Sequence, residues 1–372
     1  MTGRERIIKA MSGEIPDVVP VMPQITVPHA VKVLHGDSYI ENLIRAIEDA
    51  LYAVELMYEI ALHYNVDGIR IPYNTSDIDF KVVNENGKYK VYNRSTEEKL
   101  GELDTITGNI VYENKNYIKT MDDIKKIEIP TVEEFLVSKS LSTIKKACEM
   151  DRNNFFRVGM PGGMTTNYLL AMRGNEQALI DLVENQDIVD ALCDVGTEIA
   201  INRAKAIIKC GVDALYIGDA ASSCSLISPS QFRQFCLPHY KKFVDEIKPM
   251  GVKIYLHVCG FVRPIVNMMV ETGVHCIEPL DPLGGMSVEE FRNIVGDRAA
   301  IMGGVNTITL ARGTPEQVRK EAEECIRAGA QKGRYILAAG DMVPNESSSE
   351  NVKAMCDTAH SFVYRPDLMQ VK

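Results

Sequence analysis

No run of apolar residues in this chain reaches the ~20 that a helix needs to cross a bilayer, because a charge or a glycine interrupts each within roughly a dozen. The first residues, Met1-Thr2-Gly3-Arg4-Glu5-Arg6, are charged and lead into an amphipathic stretch, with neither the apolar centre nor the cleavage site of a secretory signal. No membrane partner and a cytoplasmic location are the expectations. The nine cysteines are odd in number and no two stand in CxxC spacing, which argues against a disulfide framework and a structural zinc knuckle. Positive charge is also in deficit: 41 Lys and Arg against 51 Asp and Glu leave a net charge of −10. Nucleic acid or an anionic surface would be repelled, so a small molecule or a protein is the expected partner. Internal repeats and low-complexity tracts are missing as well.

What is present is the composition of a folding chain, 45% hydrophobic and 25% charged. Short β-branched runs alternate with longer helical patterns, and the runs number eight: Val18–Gln24, Asp67–Pro72, Phe155–Pro161, Val212–Asp219, Lys253–Gly260, His275–Pro279, Ala299–Val305 and Arg334–Asp341. Helices are expected over Tyr39–Tyr64, Glu176–Cys210, Pro229–Met250, Arg263–Thr272, Ser287–Val295 and Pro315–Ala330. Ser228-Pro229 and Thr314-Pro315 carry the start signal of a capping hydroxyl followed by proline. Such alternation builds an open doubly wound sheet or a closed barrel, and a count of eight favours a single (β/α)8 TIM barrel over residues 1–372. One stretch breaks the rhythm. Asp79–Glu128 is polar and alternating around the turn Asn84-Glu85-Asn86-Gly87, which predicts a β-hairpin insertion after strand two, either a peripheral flap or a lid over the barrel mouth.

Side chains alternate along a strand, so His257 and Cys259 in Tyr255-Leu256-His257-Val258-Cys259-Gly260 point to one side, at a strand end where barrel chemistry is placed. A buried thiol beside a hydrogen-bonded histidine gives the same pattern without a metal. An imidazole and a thiolate together suit zinc, and a catalytic zinc takes three protein ligands and keeps one position open. Asp341, closing the eighth strand, is the best third ligand; Cys236, Asp219 and Glu278 are alternatives, with Cys236 expected on a helix face in the core. Asp219, Glu278 and Asn306 are polar at strand ends and are candidate catalytic residues, as Asp281 is a candidate mouth residue, although any one could be a solvated loop group. Gly162 and Gly163 allow close backbone approach to a substrate, and Tyr168 could stack on it or donate a bond. Their segment lacks the Lys-Ser/Thr ending of a phosphate loop. His239 and His275 read as structural.

Taken together, these residues resemble the uroporphyrinogen decarboxylase superfamily, and within it the zinc-dependent, corrinoid-linked methyltransferases. The resemblance runs over nearly the whole chain. It rests on Arg4-Glu5-Arg6 with Pro16-Asp17-Val18-Val19-Pro20-Val21, Gly218-Asp219 through Ser228-Pro229, His257-Val258-Cys259-Gly260 and Gly303-Gly304-Val305-Asn306. Ile336-Leu337 through Pro344 and Glu350-Asn351-Val352-Lys353-Ala354-Met355 complete it. The decarboxylases carry an Arg-rich substrate motif where this chain has Val21-Met22-Pro23-Gln24-Ile25-Thr26, so the cationic clamp for a polycarboxylate is missing. The resemblance implies His257 and Cys259 as zinc ligands and places Asp341 where thiol-methylating members have a later cysteine. A carboxylate is harder and less electron-donating than a thiolate, which favours a Lewis-acidic zinc and demethylation of a small methylated ether or amine over thiol attack. The implied acceptor is the Co(I) of a corrinoid, the methylcobalamin cofactor of a separate corrinoid protein. A metal-independent decarboxylase and a non-enzymatic barrel binding protein are the competing readings.

Overall fold

The computed structural model describes residues 1–72, 79–113, 116–150 and 154–364. Among them the first strand is β1 (Gly68–Arg70). Then come β2 (Phe80–Glu85), β3 (Lys88–Asn93), β4 (Lys99–Leu103) and β5 (Ile110–Tyr112). The remaining strands are β6 (Phe156–Gly159), β7 (Ala214–Gly218), β8 (Lys253–His257), β9 (Cys276–Leu280), β10 (Ala300–Val305) and β11 (Tyr335–Ala339). Seven of them form one parallel sheet in the order β1-β6-β7-β8-β9-β10-β11, each joined to the next by a helical crossover. The sheet is curled. Alternate residues of its strands, Phe156, Val158, Ala214, Tyr216, Tyr255, Cys276, Ala300, Met302, Ile336 and Ala338, meet in one buried cluster on the concave side. Residues of opposite parity, such as Leu215, Ile254, Leu256, Ile277, Ile301 and Leu337, join the larger core beneath the helices.

The run Val18–Gln24, expected as a strand, is not one. It contributes isolated bridges only, Val18 to Val363, Val21 to Leu337 and Gln24 to Met342, because Pro20 and Pro23 have no N–H to give a ladder. It still occupies the gap between the two edge strands: Met22 donates its N–H to Leu337 on β11 (3.0 Å), and Val21 accepts from Asp67 beside β1 (2.9 Å). The carboxylate of Asp67 holds this seam from within, accepting from Val21 N (2.8 Å), Arg6 Nη1 (3.0 Å) and His360 Nε2 (2.9 Å).

One end of the curled sheet is plugged. Helix Gly3–Ser12 is started by a capping box between Thr2 and Glu5 and sends Ile7, Ala10 and Met11 into the concave cluster. Arg4 bonds Asp213 just before β7 (2.7 Å) and Ser12 accepts from Lys253 at the start of β8 (2.7 Å). The helix therefore covers the amino ends of the strands and leaves the carboxyl ends free for a site.

Two of the expected long helices are interrupted. The Tyr39–Tyr64 stretch breaks at Asp49, whose carboxylate caps the following helix by accepting from Leu51 N (3.0 Å) and Tyr52 N (3.2 Å). The Glu176–Cys210 stretch breaks at Asn185. In the region 79–128, of which residues 114 and 115 lie outside the described residues, β2 to β5 form a separate antiparallel sheet in sequence order. Asn86 and Gly87, both at positive φ, make the β2–β3 turn, the geometry that matches strand twist. The sheet leans on helix Tyr39–Glu48 through Val82 N to Glu48 (2.7 Å). The turn that follows β4 reaches the strand carboxyl ends, where Asn345 donates to Ile106 O (2.8 Å).

Candidate active site

Strand β8 is buried along its length from Ile254 to His257, and its period of two sends Tyr255 and His257 into the interior, with Cys259 following just past the strand end. Gly260 then turns the chain at φ +86°, where a side chain would be strained and would press on Ser225. Asp341 arrives from the end of β11 through Gly340, whose bare Cα lets the chain pass Pro282. The curl brings these ends together although β9 and β10 lie between them in the sheet.

The donor atoms of His257, Cys259 and Asp341 all lie within 4.8 Å of one another. Nε2 of His257 stands 3.7 Å from Oδ1 of Asp341, near the roughly 3.5 Å that separates neighbouring ligands around a tetrahedral zinc. On its other side the ring is held by Glu278 of β9, which bonds Nδ1. A carboxylate on the far nitrogen is the usual support of a metal-binding histidine, since it fixes both ring orientation and tautomer. Burial by itself would disfavour a charged imidazole, but the Glu278 carboxylate, Tyr216 and the Cys259 thiol outweigh it and raise the pKa of His257 well above its ordinary value. The three donors are an imidazole nitrogen, a cysteine sulfur and a carboxylate oxygen at one strand-end cluster, a set that fits zinc, whose binding would displace protons from the ring and the sulfur. Cys259 and Asp341 are partly exposed while His257 is buried, so the cluster opens toward solvent on one side only.

The other sequence-predicted residues are placed differently. Asp219 is fully buried and its oxygens are taken: Asn167 N donates to one (2.8 Å), and Tyr240 Oη (3.0 Å), Thr165 N (3.3 Å) and Thr165 Oγ1 donate to the other. Burial nonetheless keeps its pKa raised. It anchors the start of helix Thr166–Arg173 and is not among the clustered donors. Asn306 caps helix Thr307–Arg312 by accepting from Ile308 N (2.8 Å). Asp281 caps the turn after β9 by accepting from Leu283 N (2.8 Å), and burial raises its pKa. Cys236 lies in the core beside Ser222 and Thr166, its thiol pushed up to about 11 by burial and by the charge of Asp219. Gly162 takes φ +106° in the loop after β6, and the ring of Tyr168 packs where any Cβ on Gly196 would collide with it. Glu278, a candidate catalytic residue and alternative ligand, is bonded to Nδ1 of His257.

The sequence reading missed Arg70. Its guanidinium crosses the concave side from β1 to lie 4.2 Å over the ring of Tyr216, and the ring of Tyr216 in turn lies tilted against that of His257, centroids 5.3 Å apart. A charged residue at an inward position of the apolar run Gly68-Ile69-Arg70-Ile71 was the available signal.

A curled parallel α/β sheet, plugged at its amino ends and carrying a His/Cys/Asp donor cluster at its carboxyl ends, describes this protein as a class. The chain belongs to the uroporphyrinogen decarboxylase (URO-D) family, whose description matches residues 102–362. It is 27% identical to a methylcobamide:CoM methyltransferase, MtbA, of Methanosarcina acetivorans over 257 residues, 67% of this chain and 71% of that one. With a methylcobamide:CoM methyltransferase, MtaA, of Methanosarcina barkeri it shares 29% over 174 residues, 46% of this chain and 49% of the relative. A uroporphyrinogen decarboxylase of Chlorobium luteolum is 25% identical over 235 residues, 60% of this chain and 62% of the relative. Among solved structures, a methyltransferase from Methanosarcina mazei superposes with a TM-score of 0.74 over 97% of this chain and 99% of that one at 20% identity, a likeness of fold. Among the described residues no helix is long and apolar enough to cross a membrane.

Proposed function

We propose that this protein is a zinc-dependent methyltransferase that moves a methyl group between a small methylated substrate and the cobalt of a separate corrinoid protein, with demethylation the favoured direction. The observation that carries the reading is the His257, Cys259 and Asp341 cluster backed by Glu278, in a chain whose relatives include corrinoid methyltransferases. In this reading the curled sheet and the bridging Val18–Gln24 segment form one (β/α)8 barrel over residues 1–372, with 79–128 inserted beside its mouth.

His257, Cys259 and Asp341 would hold the zinc, which supplies Lewis acidity toward a methyl-bearing heteroatom when bound. Glu278, bonded to Nδ1, would keep the imidazole oriented with Nε2 turned toward the metal. Asp341 is the hard donor of the set and leaves the metal more electrophilic than a second thiolate would. Beside Asp341 a cleft of about 270 Å³ is lined by Thr26, Thr107, Asn109, Thr307 and Asn345, whose hydroxyls and amides would orient a small polar substrate. Two of these, Thr107 and Asn109, come from the insertion, which would also guide the corrinoid partner to the mouth. Asp219 positions the loop of Gly162, Gly163 and Tyr168 through Thr165, and Asn306 positions the chain after β10.

The test mixes zinc-loaded protein with a reduced corrinoid protein and a panel of O-, N- and S-methyl compounds, and follows methyl-Co(III) by absorbance. Methylation with at least one donor is expected, with zinc content and activity lost together in His257→Ala and Cys259→Ala. The decarboxylase relatives support a second reading. Carbon dioxide release from a carboxylated substrate by zinc-free protein, with no methyl transfer from any donor, would establish it instead.

A further inference from the structure

A second cleft, of about 640 Å³, opens at the carboxyl ends of β1 and β6, between the helices Tyr39–Glu48 and Ser142–Met150 and the inserted sheet. Its walls are apolar, formed by Val27, Leu43, Ile47, Phe80, Ile110 and Met160. Thr26 and Asn109 line both this cleft and the one of about 270 Å³ beside Asp341, so the two share a wall. Thr143, only 1% exposed, lies deep in the larger cleft; its hydroxyl oxygen is buried and, among the described residues, has no hydrogen-bond partner. Tyr112, 57% exposed, marks the open side. A buried hydroxyl is costly to leave unpaired, and native proteins seldom keep one that neither water nor a ligand meets. The volume is that of clefts holding ligands of ring size and larger, and apolar walls favour an apolar body that displaces their water. A methyl donor of two or three heavy atoms, seated at the metal, would leave both the walls and Thr143 to water.

We propose that this cleft seats the body of the methyl donor: an apolar, ring-sized group whose far oxygen pairs with Thr143, joined across Thr26 and Asn109 to a methyl-bearing heteroatom at the His257, Cys259 and Asp341 cluster. The proposal rests on the methyl-transfer reading for the chemistry at that end. The substrate class is then a methyl ether or methylamine of an oxygenated ring compound, and not a one-carbon donor. A site that hydrogen-bonds a substrate oxygen disfavours the analogue lacking it, because its own buried group is left unpaired, so Thr143 would set selectivity at a distance from the reacting bond.

The chain contains no tryptophan, so Tyr112→Trp places a sole fluorescent reporter at the mouth of this cleft. Zinc-loaded full-length Tyr112→Trp is titrated with methanol, anisole, 4-methoxyphenol, 4-methoxycyclohexanol and 4-(methylamino)cyclohexanol, and the unaltered protein is titrated in parallel by calorimetry. At least one hydroxylated ring compound is expected to shift the emission, and to bind at least about tenfold more tightly than methanol and severalfold more tightly than anisole. Thr143→Val should reduce the advantage of the hydroxylated ring over anisole to about twofold or less with zinc content unchanged, and it should keep the fold because the hydroxyl has no partner to lose. Ile47→Trp, read by calorimetry, should block the ring compounds by filling the cleft. If Ile47→Trp does not fold, Tyr112→Trp and Thr143→Val decide the matter. No emission change with any ring compound overturns the proposal, as does binding of the hydroxylated rings no tighter than that of methanol, or an undiminished hydroxyl advantage in Thr143→Val. Tight ring binding without methyl transfer to a corrinoid protein counts against the reaction and not the cleft; methyl transfer from methanol without ring binding counts against the cleft alone.

Discussion

Glu278 bonds Nδ1 of His257, and that contact decides which way the imidazole faces: Nε2 is left 3.7 Å from Asp341 and free to donate to a metal. Glu278 comes from the neighbouring strand at the register position directly opposite His257, so the support is built into the sheet ladder itself. Removing its charge should therefore act through metal affinity. Glu278→Gln is expected to weaken zinc binding by about 10- to 100-fold while the fold is kept, measured by competition with a chromogenic chelator. Unchanged affinity would show that the carboxylate is not needed to orient the ring.

Asp341 offers a sharper test because its replacement can change the ligand type without emptying the position. Asp341→Ala should lower metal affinity, whereas Asp341→Cys should retain it and soften the site. With Co(II) substituted for zinc, Asp341→Cys should show stronger sulfur-to-metal charge-transfer absorption than the unaltered protein, and lower activity toward ether and amine donors. An unaltered spectrum would place Asp341 outside the coordination sphere.

Asp67 closes the seam between β1, the Val18–Gln24 segment and the last helix, and it does so while almost wholly buried. Asp67→Ala takes this acceptor from the Val21 N–H, His360 Nε2 and Arg6 Nη1, while Arg6 keeps Asp17 through Nε and Nη2. Breaking a buried charged network of this kind costs about 3 kcal/mol or more, read as the urea midpoint at constant slope. A loss under about 0.5 kcal/mol would mean that the proline-interrupted segment is held by its apolar contacts alone.

Burial pushes His29 and His275 down to about 4, with Lys32 acting in the same sense on the first and Lys253 on the second. In the unfolded chain both titrate near 6.5, at roughly the ordinary histidine value. Between those values the unfolded chain binds more protons, so the stabilising effect is complete above pH ~6.5 and is lost as the pH falls toward ~4. The double variant His29→Gln, His275→Asn keeps an acceptor for Ile254 N, which bonds His275 Nδ1 (3.0 Å), and should flatten the melting temperature across that window. An unchanged pH slope would assign the acid sensitivity to other groups.

Most of the scaffold was legible because it follows from local periodicity. Seven of the eight expected runs are strands of one parallel sheet, and the interior parity of Tyr255 and His257 follows from the two-residue repeat alone. Val18–Gln24 failed as a strand on a local ground that was also readable, the two prolines, and the break at Asp49 reflects a capping residue competing with an apolar helical pattern.

The sequence by itself determined which side chains share a side of the chain: Tyr255 with His257 on one strand and Cys259 just past its end, and the acidic and glycine positions at the ends of others. Which of those ends meet was decided only in three dimensions. Asp341 and His257 are joined by the curl of the sheet across two intervening strands, Glu278 is committed to His257, and Asp219, of the same residue type and at an equivalent strand end, is consumed by Thr165, Asn167 and Tyr240. Arg70 shows the same division: its charge was visible in the run, but its place over Tyr216 was not. Strand-face parity is a property of neighbouring residues, whereas a cluster of donor side chains is a set of contacts between residues scores of positions apart, and packing of the whole sheet fixes those contacts.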